Sequence, residues 1–227
     1  MSLFSSLFPH QSHPVKHGLS CPLIDLAVFF VCVFINYKFA DGIRNVYRMK
    51  ITPPGYFFAI WGVIYTLTLG TLIAQIFGQQ WTSDAHCWMC LVHLFNSGWI
   101  LLTAHNPPYK VYLMSADLFL TALSVFNVWI RITPDLYDSP STYYLQKNIL
   151  AFYLGWVSCA SILNLCMVLI YGLGYSQDRA ATLFWPICLS LLGLESIYAI
   201  ASGNIKGFGG FYLSAAWAIY GVTKGRI

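Results

Sequence analysis

Three ionisable side chains, His93, Asp117 and Glu195, lie inside long apolar runs, where a charge is costly. Within membrane proteins such groups usually face a polar cavity or a partner, which makes them candidates for function. Polar side chains also hold membrane helices together through hydrogen bonds. The sequence leaves both interpretations open for each of the three.

A second group combines two imidazoles and a thiol. His86, Cys90 and His93 recur at i, i+4 and i+7, so they would share one face of a helix. A structural zinc ion needs four converging ligands, usually from two elements, and one straight helix cannot supply them. We therefore expect no metal site and no required cofactor. The sequence shows no nucleophile paired with a base either, so we expect no catalytic residue.

A third pattern is a row of aromatic and amide side chains at helical spacing. It consists of Tyr153, Trp156, Ala160 and Asn164 at i, i+3, i+7 and i+11, with Asn96 and Trp99 repeating the pairing at i and i+3. A buried amide in lipid needs a hydrogen-bonding partner, and tryptophan offers an N–H group and a large flat face. The row predicts either the wall of a pocket for a flat apolar ligand or ordinary helix packing.

Composition indicates that membrane helices carry these residues. Hydrophobic residues make up 58% of the chain, charged residues only 9%, and the mean hydropathy is +0.63. Because a soluble domain has about a quarter charged residues, this chain cannot cover a surface that faces water. The sequence therefore predicts an all-α, polytopic transmembrane bundle in a lipid bilayer. A net charge of +4 without a basic cluster predicts no nucleic-acid partner.

Apolar runs bounded by polar, glycine and proline clusters predict seven helices. They cover about Pro22–Tyr37, Pro54–Phe77, Cys87–Ala104, Tyr109–Ile130, Gln146–Leu173, Ala180–Ser202 and Gly209–Val222. Thr133–Lys147 is expected to be a polar loop, and Pro107 and Pro108 are expected to precede the fourth helix. Residues 1–21 lack the apolar stretch of a secretory signal, so we expect a polar N-terminal segment there.

Lysine and arginine are divided unevenly between the two ends of these helices. With seven crossings, eight of the twelve lie on the side that holds the C-terminus, and four of those eight lie between the first two helices. The positive-inside rule then predicts that the C-terminus faces the cytosol or its equivalent.

Four short motifs occur in order along the predicted helices. They are TPPGYFFAIWGVIY (52–65), LFNSGW (94–99), Asp117-Leu118 and FYLGWVSCASILN (152–164). Together they resemble the translocator protein family, also called tryptophan-rich sensory proteins or peripheral benzodiazepine receptors. The resemblance covers Pro22 to Gly174, and two further C-terminal helices are similar to a longer branch of that family. Tyr56 stands where the family usually has tryptophan, with one residue fewer before Trp61.

The resemblance implies a five-helix core at residues 22–174, followed by additional transmembrane helices at 175–227. It also implies a receptor for a flat hydrophobic molecule, with porphyrins and sterols as the family's ligand classes. The cavity would lie between the first, second, third and fifth helices, and Asp117 would brace helices. The residues expected to form the site are Tyr56, Trp61, Tyr65, Asn96, Trp99, Tyr153, Trp156 and Asn164.

Two other functions stay open at this stage. Some family members are proposed to degrade porphyrins, which would make the chain an enzyme. Alternatively, the chain would be a non-catalytic accessory subunit of a larger membrane complex, such as a mitochondrial respiratory complex, with the two additional helices at the interface. In a eukaryote the resemblance further suggests a mitochondrial membrane. The oligomeric state stays open between a homodimer and a larger membrane complex.

Overall fold

The computed structural model of the chain describes residues 20–39, 47–78, 81–105 and 109–225. A polar N-terminal segment was predicted for residues 1–21, and residues 1–19 of it lie outside the described residues. Pro107 and Pro108 also lie outside them.

The described residues fold into seven α-helices, so the predicted all-helical membrane architecture is confirmed. They are α1 (Ser20–Phe39), α2 (Ile60–Ile76), α3 (Ser83–Ala104), α4 (Lys110–Arg131), α5 (Pro140–Met167), α6 (Gln177–Ala201) and α7 (Gly209–Lys224). A 3₁₀ turn, Gly55–Ala59, leads into α2, and a π turn, Val168–Gly172, extends α5. Among the described residues, six helices are long and apolar enough to cross a membrane.

The fifth helix begins earlier than the sequence predicted. Its predicted start near Gln146 is wrong because Ser139 caps the helix, with its hydroxyl accepting from Thr142 N at 3.2 Å. Pro140 then occupies the first turn, where its missing N–H costs nothing. As a result Lys147, expected at the boundary between the loop and the helix, lies two turns inside α5 and is only 1% exposed.

The helices alternate in direction, and α5 lies at the centre of the bundle. It contacts α2, α4, α6 and α7, whereas α1 packs on α2 and α3, and α3 packs on α4. The first five helices therefore close into a ring, and the last two lie against α5. The last turns of α1, α3 and α5 lie at one end of the bundle, together with Lys50. We call this end the Lys50 end. The opposite end is the Lys147 end.

The seventh helix packs closely against α5, and the close contacts involve two glycines. A Cβ added at Gly155 would meet the carbonyl oxygen of Phe211, and one at Gly210 would meet the carbonyl oxygen of Asn148. Only glycine permits backbones this close. With 16 residues, α7 is about 24 Å long, shorter than the roughly 30 Å of a bilayer core.

Candidate functional site

A cavity of about 80 Å³ lies inside the ring, in the half of the bundle nearest the Lys50 end. Its wall comes from α2, α3, α4 and α5, from one residue of α7, from one residue of the 3₁₀ turn before α2, and from the segment Tyr47–Pro53. The lining residues are Tyr47, Met49, Thr52, Pro53, Phe58, Trp61, Trp99, Thr103, Met114, Leu118, Trp156, Ala160, Leu163, Asn164, Met167 and Ala218. The sequence predicted that the first helix borders the cavity, but the described α1 contributes no lining residue, and α4 lines the cavity instead. The reason is that α1 packs on α2 and α3, with its buried polar groups bonded to α3.

Three indole rings dominate this wall. Trp61 of α2 meets Trp156 of α5 edge to face, with ring centroids 6.2 Å apart and planes at 89°. Trp99 of α3 is 6% exposed and completes the set. The spacing that placed Trp156 and Ala160 on one face of α5 therefore becomes a ring beside a small residue in the cavity wall. Such a surface suits a flat apolar group.

The polar atoms in the wall are mostly paired with each other. Trp99 Nε1 donates to Asn164 Oδ1 at 3.2 Å, and Asn164 Nδ2 donates to the carbonyl oxygen of Ala160 at 3.0 Å. Trp156 Nε1, by contrast, is buried and has no acceptor among the described residues. The cavity wall is therefore largely apolar, and Trp156, one of its lining residues, carries a buried N–H group without an acceptor among the described residues.

The segment Tyr47–Pro53, which we call the cover segment, closes the cavity at the Lys50 end. Lys50 forms an exposed ion pair with Asp178 of α6 at 2.6 Å, and Lys50 N donates to Gln177 Oε1 at 3.1 Å. Tyr171 donates its hydroxyl to the carbonyl oxygen of Arg48 at 2.6 Å. These polar contacts attach the cover segment to the end of α5 and the start of α6.

Two of the predicted site residues, Tyr65 and Asn96, form a hydrogen-bonded junction beside the cavity instead of lining it, and a third, Tyr153, lies next to this junction. Asn96 Oδ1 accepts from Tyr65 OH and from Asn36 Nδ2, each at 2.9 Å, and from Cys32 Sγ at 3.3 Å. The Tyr153 hydroxyl approaches the same amide, but not in hydrogen-bonding geometry. This Asn96 junction ties α1, α2 and α3 together, with α5 alongside.

The remaining predicted residues are placed as follows. Trp61, Trp99, Trp156 and Asn164 line the cavity. Tyr56 is 63% exposed in the 3₁₀ turn before α2 and does not line it. The roles assigned to these residues stay predictions.

The two mid-membrane carboxylates face neighbouring helices and lie apart from each other. Asp117 packs on Gly98 of α3, where an added Cβ would meet its Oδ1 at 3.0 Å. Glu195 Oε1 accepts from the hydroxyl of Ser158 of α5 at 2.9 Å. Each carboxylate also has one buried oxygen without a partner among the described residues.

The sequence analysis did not identify one buried acidic residue, Asp25. Asp25 of α1 is fully buried and bonds His86 of α3, with His93 close by. Its position in an apolar run was a signal that could have identified it. A carboxylate in the early turns of a helix is common, however, because it interacts favourably with the helix dipole. No group of three or more His, Cys, Asp or Glu side chains in the described parts of the chain is arranged to hold a metal ion.

A family model described as TSPO-like protein matches residues 23–226 of the chain. The match therefore reaches beyond the five-helix core to include α6 and α7. No curated protein and no solved structure matches the chain.

Proposed function

The chain belongs to the TSPO-like protein family, and from this premise we propose that it is a receptor for a flat, largely apolar molecule bound in the cavity between α2 and α5. It is a multi-pass integral membrane protein, so such a ligand would reach it from the lipid bilayer. Porphyrin-like and sterol-like molecules are the ligand classes we propose.

The observation that carries the proposal is the aromatic wall together with a buried tryptophan N–H group that has no acceptor among the described residues. Trp61, Trp99 and Trp156 surround the cavity, and the Trp156 N–H lacks an acceptor. A buried donor without a partner costs about 1–3 kcal/mol, so an acceptor on the ligand would relieve that cost. The preferred ligand is therefore a flat molecule with an acceptor at its edge, such as a carbonyl or carboxylate oxygen.

The small volume of the cavity means that a large ligand needs a conformational change to enter. A cavity of about 150 Å³ holds benzene, and this one is about 80 Å³. A tetrapyrrole or sterol therefore enters only if the cover segment moves outward. This movement breaks the Lys50–Asp178 pair, whose side chains are 54% and 80% exposed and which contributes about 0–1 kcal/mol. It also withdraws Met49 and Ile51, which are 5% and 7% exposed, from the core.

Titration with protoporphyrin IX and with a fluorescent sterol, in lipid nanodiscs, tests the proposal through quenching of tryptophan emission. We expect saturable binding. Trp156→Phe removes the N–H and keeps a ring, so it should weaken binding about fivefold, the equivalent of one net hydrogen bond. Ala160→Phe should fill the cavity and abolish binding. Trp185→Phe, in α6 and outside the lining, is the matched control and should leave the affinity unchanged.

The same measurements separate the alternatives. Quenching that rises linearly with ligand and is equal in all variants would mean simple partitioning, which contradicts the receptor and favours an accessory subunit. Loss of the porphyrin Soret band during incubation would instead indicate a degrading enzyme. Lys50→Ala should raise the association rate with little change in thermal stability, and an unchanged rate would show that the cover segment is not the entrance.

A further inference from the structure

A row of polar side chains runs along the interface between α1 and α3. On α1 it comprises Cys21, Asp25, Cys32 and Asn36, and on α3 it comprises Ser83, His86, Cys90, His93, Asn96 and Ser97. From Cys21 to Asn36 it follows α1 for about 22 Å, most of the roughly 30 Å of a bilayer core. Apolar packing alone would not place so many polar groups on one seam.

The centre of this row is a carboxylate shared by two imidazoles. Asp25 Oδ2 lies 3.0 Å from His86 Nδ1, and Asp25 Oδ1 lies 3.3 Å from His93 Nε2. Asp25 is fully buried, and the two histidine side chains are 5% and 2% exposed. The first contact is a hydrogen bond, whereas the atoms of the second face each other without hydrogen-bonding geometry.

The surrounding charges make this cluster depend on protons. No lysine or arginine in the described ranges pairs with Asp25, so only an imidazolium or a bound proton can neutralise it. The other titratable side chains nearby are Cys90, which lies close to Asp25, Cys21 and Cys87 beside Cys90, and Tyr65 across the Phe29 ring. All four are neutral when protonated. Chains of Asp and His inside membranes are typical of proton relays.

We propose that the α1–α3 interface conducts protons, with Asp25 passing each proton between His86 and His93. The proton leaves Nδ1 of a doubly protonated His86 and binds Oδ2 of the Asp25 carboxylate. After the carboxyl group rotates, the proton moves to Nε2 of His93. One N–H bond breaks and another forms, no electrons are transferred, and the total charge of the three groups is constant.

The row continues from His93 towards the Lys50 end. Asn96 lies one turn further along α3, and its Nδ2 is buried without a partner in the described residues. Buried polar atoms of this kind usually bond ordered water, which also carries protons. The Phe29 ring packs against His93 at 5.3 Å and against Tyr65 at 6.2 Å, between the two polar regions. Phe29 is therefore the barrier to proton movement.

Proton flux into liposomes tests the proposal. The purified full chain is reconstituted around pyranine, and a potassium diffusion potential set with valinomycin drives protons inward. We expect acidification faster than in protein-free vesicles, and slower in D₂O than in H₂O. Loss of a group that passes protons typically costs orders of magnitude in rate, so Asp25→Asn should fall to the protein-free background. Phe29→Ala should raise the flux, and Cys87→Ser, exposed on α3, should not change it.

Two results would overturn the relay. One is wild-type flux no faster than in protein-free vesicles. The other is a folded Asp25→Asn protein that conducts like the wild type, because the cluster then only holds α1 against α3. If Asp25→Asn does not fold, His86→Gln takes its place, since it keeps a hydrogen-bond donor for the carboxylate but cannot carry a proton. Unchanged proton flux in a folded His86→Gln protein would overturn the relay in the same way.

Discussion

Replacing Asn96 by leucine should destabilise the protein through the hydrogen bonds that its side-chain oxygen accepts. Asn96 is fully buried, and its Oδ1 accepts hydrogen bonds from Tyr65 OH, Asn36 Nδ2 and Cys32 Sγ. Leucine has similar volume but no acceptor, so these donors lose their partner. The effect on ligand binding should be indirect, because Asn96 does not line the cavity.

The magnitude follows from the number of donors and their environment. Hydrogen bonds between membrane helices contribute about 0.6 kcal/mol on average, and the thiol is a weak donor. Two full bonds and one weak one give a loss of about 1.5 kcal/mol for Asn96→Leu. Tyr65→Phe removes one bond and should cost about 0.6 kcal/mol. The double variant should then lose about 0.6 kcal/mol less than the sum of the single losses, because both changes remove the same bond.

Equilibrium unfolding in mixed micelles of the two single variants and the double variant measures this coupling. Asn127→Leu in α4 is the control, since its Nδ2 bonds a carbonyl of its own helix and its Oδ1 accepts from Arg131 one turn away. Among the described residues it loses no hydrogen bond between helices, and it should cost less than Asn96→Leu. Additive losses for Asn96 and Tyr65, within the roughly 0.3 kcal/mol expected of independent sites, would refute the hydrogen bond between them.

Two other predictions follow from helix packing. Gly155→Ala should destabilise the protein by about 1–3 kcal/mol, because the new methyl group would overlap the backbone of α7. Gly193→Ala, where an added Cβ meets open space, should be neutral or slightly stabilising, and equal thermal shifts for the two would contradict the close contact. Asp117→Asn and Glu195→Gln should be additive in unfolding free energy, because they lie against different helices and share no partner. A coupling above about 0.5 kcal/mol would show that the two carboxylates communicate.

Helix number and approximate limits could be predicted from the sequence because they depend on local properties. An apolar run in lipid must satisfy its backbone hydrogen bonds within itself, so each run becomes a helix. The start of α5 was misplaced because the residues between Pro140 and Gln146 belong to a polar stretch that looks like a loop when counted by polarity alone. The Ser139–Pro140 cap was a local signal that would have corrected it.

Helical spacing also predicted which residues share a face, but it could not identify the residues opposite. Trp156 and Asn164 lie on the same face of α5, as their spacing required, and both line the cavity. Asn96 and Trp99 share a face of α3 equally well, yet Trp99 reaches Asn164 of α5 while Asn96 reaches α1 and α2. The spacing is the same, and the neighbouring helices differ.

The sequence by itself determined that the chain is a helical membrane protein, where its helices lie and which side chains are grouped on each helix. The tertiary structure alone decided that Asp25 meets His86, that α7 lies against α5, and that a seven-residue cover segment closes the cavity. The physical reason is the range of the interactions. Helix formation depends on residues within about four positions of each other, whereas Asp25 and His86 are separated by 61 residues and meet only when α1 packs on α3.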